Sequence, residues 1–474
     1  MGAFPTTARA AVPSRFNDGG ATAQVALFSG ARFAGASLSA ITAVVLARSL
    51  PKAEYGNLAL LTGIVGLLVV LTDAGLTSSL ARYLSEQRVD RQLFVRIVAL
   101  RGALTGLAVL GILAYSAAGG APGFGSATVL GAVLLVANSM VSLAHGTLPT
   151  LRRVGVGAFL TVFQPAVELC GVVVLVRTGP SAPAALVALT VAAGASAVTG
   201  LAVLFAHPVS FRERAGTSDL VRYALPLFGV WACVSVFGVV DQVLITLFHD
   251  AATVAPYALG WKLVVFLHLP AVAMAAVVAP RLAQDMRRAP EIFDRWMRRT
   301  AVTYAGVLSV VTPLAPDIFG LIGRQYRTDA PVLQALMGYA ALLSVAPLVS
   351  LSCNFLGGGR ARLPVALAAV AVNICLDLAL IPTWGSYGAA VSSTLAYLVY
   401  VLGHVRIAAR LLGSEPWSAW TRPAVRIAAG AVTSVCVTRF VLGGVSSLGL
   451  VGAGIAGAVG LASYVAVVRK EVWH

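Results

Sequence analysis

Apolar runs of about bilayer length recur along this chain with only short charged breaks between them, and that recurrence restricts it to one solvent. A spanning helix needs about 20 apolar residues. Runs of that kind fall at 24–47, 57–80, 94–117, 126–149, 156–177, 184–206, 222–249, 254–280, 300–316, 330–356, 363–382, 385–405, 423–441 and 446–468. The ninth is the weakest, being short and interrupted by Pro313 and Pro316. Charged residues make up 11% of the chain, against about 25% in soluble domains. There is too little polar surface to cover a water-soluble body of 474 residues. The expected fold is an all-α bundle of about fourteen membrane helices.

Placement of positive charge tests this count independently, because cytoplasmic loops hold most of the Lys and Arg. With the N-terminus inside and the spans alternating, 26 of the 34 Lys and Arg fall on the inner side. The outer side takes Arg48, Lys52, Arg177, Arg324, Arg327 and Arg439, and Arg32 and Lys262 remain within spans. Losing one span would scramble the segregation downstream, so both termini are expected in the cytoplasm. The net charge of +16 therefore reads as topology and contact with anionic lipid, not as a nucleic-acid footprint. The N-terminal tail, 1–23, precedes a run longer than a signal-peptide core and is read as preceding a retained first span.

Enzymatic signatures are missing. There is no GxxxxGK[ST], HExxH, GxSxG or CxxC, and Gly357-Gly358-Gly359-Arg360 lacks the Lys-Ser/Thr of a phosphate loop. The five cysteines are odd in number, lie in apolar runs and lack metal-ligand spacing. No catalytic residue, cofactor or metal ligand is assigned.

Chemistry is left to ionisable groups at membrane depth, each of which costs about 2.5–3.5 kcal/mol at a helix centre unless it meets a partner, a wet cavity or an interface. Arg32 stands eight residues into the first run; it lines a water-filled cavity or snorkels to the headgroups along its stem, and its depth favours the cavity. Lys262 has the same two readings, with Tyr257 and Trp261 beside it as an aromatic belt. Glu168 and Asp241 are the deep acids, read either as ion-coupling sites or as counter-ions to Arg32 or Lys262. Asp73 and Asp377 lie near run ends, where hydration or capping accounts for them. Asn138, Gln164, Gln242, Asn354 and Asn373 are expected to bond between helices.

A faint repeat divides the chain. ARSLPKAEYGNLALL around Tyr55 corresponds to FHDAATVAPYALGWKL around Tyr257, and Glu168-Leu169-Cys170 to Asn373-Ile374-Cys375. The expected units are six-helix bundles at 24–206 and 222–405, related as a parallel repeat, with a linker at 207–221 and two further helices at 423–468. Proteins built this way bind substrate between the halves and rock one against the other.

Several segments, in order along nearly the whole chain, resemble the polysaccharide-transporter branch of the multidrug/oligosaccharidyl-lipid/polysaccharide exporter superfamily. They are LARSLPKAEYGNLALL with LTDAGLTSSLARYLSE, YALPLFGVWACVSVFGVVDQVLI, VAPYALGWKLVVFLHLPAVAMAAVVAPRLA, IFGLIGRQYRTDAPVLQALM with FLGGGRARLPV, and WGSYGAAVSSTLAYLVY. The resemblance implies a multi-pass protein of the bacterial plasma membrane, a flippase rather than an enzyme. It would carry an isoprenoid diphosphate-linked oligosaccharide from the inner to the outer leaflet. Its partners would be membrane lipids and the glycosyltransferases and polymerase of the same pathway. Basic residues of the first and eighth spans line the cavity in such proteins, which assigns substrate binding to Arg32 and Lys262. The rival reading is a cation-coupled drug or metabolite exporter of the same fold, working through Asp241 or Glu168.

Overall fold

A computed structural model describes residues 18–85, 89–118, 125–151, 153–206, 216–413, 416–445 and 449–472. Residues 1–17 of the N-terminal tail and 207–215 of the linker lie outside the described residues. The helices are α1 (Asp18–Ser49), α2 (Lys52–Asp73), α3 (Leu76–Ser85), α4 (Arg91–Ala117), α5 (Gly125–Thr147), α6 (Val154–Thr178) and α7 (Ala182–Ala206). They continue as α8 (Thr217–Val236), α9 (Val239–Phe248), α10 (Ala251–Gln284), α11 (Ala289–Ile322), α12 (Ala330–Phe355), α13 (Arg362–Leu412), α14 (Pro416–Val445) and α15 (Gly449–Val472). A 3-10 turn, Arg324–Asp329, joins α11 to α12. Among the described residues 13 segments are long and apolar enough to cross a membrane. The longest, α13, bends back at Gly385 (φ 52°, ψ −132°). Its limbs run antiparallel, since Arg362 meets His404 and Asn373 meets Ser392, and the crossings number fourteen as expected.

Apolar side chains such as Leu107 (68% exposed), Leu247 (72%) and Phe440 (85%) point away from the bundle. On a soluble protein such an array would be a large hydrophobic surface; here it faces acyl chains. The helices form two groups. Helix α1 packs on α6, α5 on α7 and α2, while α10 and α13 pack on α12; α2 and α1 meet α10 between the groups, and α14 and α15 pack on each other and on α11. Tyr464 fixes that last contact, its hydroxyl donating to the Val302 carbonyl at 2.6 Å.

Close helix approach follows from small residues, which drive packing where lipid supplies no hydrophobic force between helices. Pro165 in α6 has no N–H for the carbonyl of Thr161. Gly35 of α1 sits against that freed carbonyl, where a Cβ would lie 2.3 Å from the oxygen. At the Arg-poor end Gly56 of α2 meets Ala251 of α10 more tightly still, a Cβ there falling 1.7 Å from the Ala251 carbonyl oxygen.

Three expectations are corrected. The second and seventh runs are not continuous helices. The second breaks after Asp73 at Ala74 (φ 46°) and Gly75 (φ 74°), and the seventh at Gly238 (φ 75°). The ninth is not short: α11 runs unbroken through Pro313 and Pro316 for 34 residues and absorbs most of the basic linker. Pro316 leaves the Thr312 carbonyl without its helical donor, and the Gln334 amide of α12 supplies one at 3.2 Å, the kind of re-satisfaction that lets proline persist in membrane helices. In α10 the Tyr304 hydroxyl is inserted into the backbone ladder next to Pro270, accepting from Ala271 N–H at 3.1 Å and donating to Leu267 carbonyl at 2.7 Å.

Candidate functional site

Two cavities open along the contact between α1 and α10. The first, of 520 Å³, is lined by α1, α2, α5, α6, α7 and α10; its polar wall includes Ser39, Thr42, Asn138, His145, Gln164, Glu168 and Lys262. Lys262 comes from the second helix group into a chamber otherwise built by the first. Gln164 organises the opposite wall, donating to Asn138 Oδ1 at 3.3 Å and to Glu168 Oε1 at 3.0 Å, so the expected bond between α5 and α6 forms. Glu168 and Lys262 are electrostatic neighbours, yet neither Lys262 nor Arg32 enters an ion pair among the described residues. Their charge stays available to a ligand.

The second cavity, of 630 Å³, is mostly apolar and holds Arg32 with Phe28, Phe33, Pro149 and, from α10, Leu269, Pro270, Val272, Ala273 and Ala276. Arg32 and Lys262 thus line different cavities that share α1 and α10 as walls. On α10, Lys262 and Leu269 are about 10 Å apart along the axis. Between the two levels the rings of Phe33 and Phe266 meet with centroids 5.4 Å apart. His145 and His268 lie in electrostatic reach of Arg32.

Asp241 stands apart from both cations. The Gly238 break starts α9 in mid-membrane, which puts Asp241 in that helix's first turn, where the helix dipole favours a carboxylate. Asp241 is fully buried and accepts from the hydroxyls of Tyr257 and Ser393. Asp377 is its electrostatic neighbour and takes Ser392 Oγ and, at 3.0 Å, Asn373 Nδ2. The expectation that hydration or capping accounts for Asp377 is therefore corrected: it is 0% exposed and bonded to side chains of the α13 hairpin, because the Gly385 bend folds Ser392 back over it. Asp241 Oδ1 and Asn373 Oδ1 are buried acceptors with no hydrogen-bond partner. Asp241 and Asp377 accept from the adjacent hydroxyls of Ser393 and Ser392, and a small positive charge between two buried carboxylates would offset their repulsion. All the donors are hard oxygens, and no group of three His, Cys, Asp or Glu occurs among the described residues, so the cluster suits a proton or an alkali cation better than a transition metal.

Sequence reasoning also missed buried cations. Arg101, counted with the inner loops, is 0% exposed within α4 and pairs with Asp73 and Thr77, while its Nε donates to Ser139 Oγ at 3.2 Å. Arg362, likewise counted as a loop charge, is buried and donates to Asn354 Oδ1 at 2.6 Å and His404 Nε2 at 3.2 Å. The available signal was the opposite charge of Asp73 and Arg101 at one depth. Gln242 bonds its own helix, at Gly238 carbonyl, rather than a neighbour.

At the Arg-poor end the groups are clamped together. Lys52 Nζ pairs with Asp329 at 2.6 Å, Arg48 Nε donates to Ile322 carbonyl at 3.1 Å, and Gln325 Nε2 donates to Ala47 carbonyl at 3.1 Å. At the Arg-rich end Ser79 Oγ donates to Leu220 carbonyl at 2.8 Å.

The profile of the polysaccharide biosynthesis protein family matches residues 21–286, more than half of the chain. The chain belongs to that family. This polysaccharide biosynthesis family protein is 21% identical, over 78% of its length and 79% of the relative's, to the probable low-salt glycan biosynthesis flippase Agl15 of Haloferax volcanii. Its fold is that of the lipid II flippase MurJ in an inward closed conformation (TM-score 0.71, 12% identity, 94% of this chain and 99% of that one). An inward-facing multidrug resistance MATE family transporter of the MOP superfamily also matches (TM-score 0.66, 14% identity, 80% and 95% covered). The polysaccharide-transporter resemblance of the sequence motifs is thereby borne out at the level of the family, and the family protein is a multi-pass membrane protein that shares its fold with transporters.

Proposed function

We propose that this chain is an alternating-access flippase that moves an isoprenoid diphosphate-linked oligosaccharide from the inner to the outer leaflet for cell-surface polysaccharide synthesis. The observation that carries the reading is the pair of cations outside any ion pair among the described residues, Arg32 and Lys262, in cavities along the α1–α10 contact. A diphosphate attracts both groups, and Arg can hold phosphate oxygens bidentately. The polar 520 Å³ chamber suits sugar, and the apolar cavity around Arg32 suits the proximal lipid. In this reading 24–206 and 222–405 are the rocking units, 423–468 is an appended pair, and the Arg-rich end with both termini faces the cytoplasm. Of the two acids proposed for ion coupling, Asp241, clustered with Asp377, is better suited than Glu168, which bonds Gln164 in the chamber wall.

The second reading is a cation-coupled drug or metabolite exporter. The buried acid pair and the MATE-type fold favour it, and it would work through Asp241 or Glu168 while Arg32 only reaches the headgroups. Deleting the gene and locating lipid-linked oligosaccharide separates the two. Accumulation in the inner leaflet supports the flippase; an unchanged glycan with altered drug tolerance supports the exporter. Arg32→Ala should abolish transfer and Arg32→Lys keep part of it. Full transfer by Arg32→Ala defeats the assigned role.

A further inference from the structure

A third polar space lies at the opposite end of the molecule from Arg32. It is a cleft of 510 Å³ between the start of α10, the start of α12 and the tip of the α13 hairpin, with Lys52 of α2 closing one side. That volume falls inside the range of ligand sites, about 300–1,000 Å³. Its most unusual lining is an aromatic pair. Trp384 and Tyr387 are 52% and 41% exposed, with ring centroids 5.9 Å apart and planes at 50°.

These rings are not on a free loop. Ser386 between them donates to the Thr253 carbonyl, His249 Nε2 is 2.7 Å from the Ile381 carbonyl oxygen, and the left-handed Gly385 makes the bend. A Cβ on Gly385 would press on Thr253 at 3.2 Å. Two flat rings are therefore held in place at an angle over a polar floor, at low ordering cost on binding.

Charge in the cleft selects the ligand. Lys52 is neutralised by Asp329, which leaves Asp250 as surplus negative charge. Its carboxyl accepts from Thr253 N–H and Oγ1 at 2.8 and 2.7 Å, and these bonds hold it below the usual carboxylate range. An ionised acid repels diphosphate and accepts sugar hydroxyls. Ring C–H groups of a pyranose, slightly positive, suit the negative face of an aromatic ring. We propose that this cleft is a second subsite, for uncharged pyranose units of the glycan, at the end where the cargo leaves. The proposal rests on the flippase reading and adds the part of the substrate recognised there. Because Lys52 and Asp329 come from different helix groups, the cleft is complete only while this end is clamped, so opening weakens its hold and favours release.

The test uses full-length protein in lipid nanodiscs and the mono- to tetrasaccharide fraction freed by mild acid from the lipid-linked pool of expressing cells. This mixture contains the chain's own glycan whatever its identity. Sugar retention is read by saturation-transfer NMR, with inorganic pyrophosphate as a second ligand. The expected result is retention of sugar by the unaltered protein, at least about fivefold weaker in Trp384→Ala, as for truncation of an aromatic anchor, and largely restored in Trp384→Phe. Pyrophosphate binding should be the same in all three, which also shows that the variants are folded. No sugar retention, or equal retention in Trp384→Ala, overturns the subsite, the second result leaving the rings as interfacial anchors. Leaflet transfer of lipid-linked glycan is measured alongside. Transfer without sugar retention in the cleft removes this proposal alone, whereas absence of transfer by the unaltered protein removes the flippase reading itself.

Discussion

The Lys52–Asp329 pair is the most direct handle on alternating access, because it ties the two helix groups at the Arg-poor end. The Lys52 ammonium is 2.6 Å from Asp329 and 5.4 Å from the centroid of the Tyr326 ring. Both side chains are about a quarter exposed, at 26% and 24%, so the pair is screened and contributes up to about 1 kcal/mol. The ring adds about 0.5 kcal/mol at such a site. Removing the charge in Lys52→Ala should therefore shift the balance toward opening of this end by about 1–1.5 kcal/mol, a population change of about five- to tenfold. The shift stays modest because the bonds from Arg48 to Ile322 and from Gln325 to Ala47 remain. Spin labels placed on α2 and α12 near this end, with distances measured by pulsed EPR in nanodiscs, would report the open fraction. Exchanging the charges, Lys52→Asp with Asp329→Lys, should return the distribution toward the original. An unchanged distribution in Lys52→Ala, or a charge exchange no closer to the original than either single change, refutes the clamp.

Three further outcomes follow from geometry. Asp73→Ala leaves Arg101 buried with only hydroxyl acceptors and should cost about 3 kcal/mol, seen as a lower melting temperature in detergent; Asp73→Ala with Arg101→Met should recover most of it, and a double variant no more stable than the single would show that the pair is not coupled. Gly56→Ala should prevent correct assembly, read as loss of a monodisperse peak, because its Cβ has no room beside Ala251, whereas Gly106→Ala, with nothing within 4 Å, should behave as the unaltered protein. Asp250 caps α10, and its lowered pKa means its stabilisation is present above the unfolded carboxylate value, about 3.9, and is lost as pH falls through the lower folded value. Asp250→Asn keeps a capping oxygen and should flatten that part of the acid limb in a stability-against-pH measurement; an unaltered acid limb would count against the cap.

How much of the protein could be read beforehand depends on the range of the interaction that decides each feature. The fourteen crossings follow from local sums of transfer free energy, and even the hairpin hidden in the 51-residue α13 separates into two runs on apolar length. The breaks at Ala74 and Gly238 escaped that reading because an apolar run looks the same whether its backbone is straight or turned. The meeting of charges escaped it as well. Asp241 and Asp377 are 136 positions apart and come together only because α9 starts at a left-handed glycine and the α13 hairpin folds Ser392 and Ser393 back. Arg101 reads as a loop cation until α4 is rotated to face Asp73. Sequence alone decided the solvent and the number of crossings, since lipid acts on each run separately; tertiary structure decided which charges are paired and which, like Arg32 and Lys262, stay outside ion pairs among the described residues, since that depends on helix rotation and on contacts between distant segments.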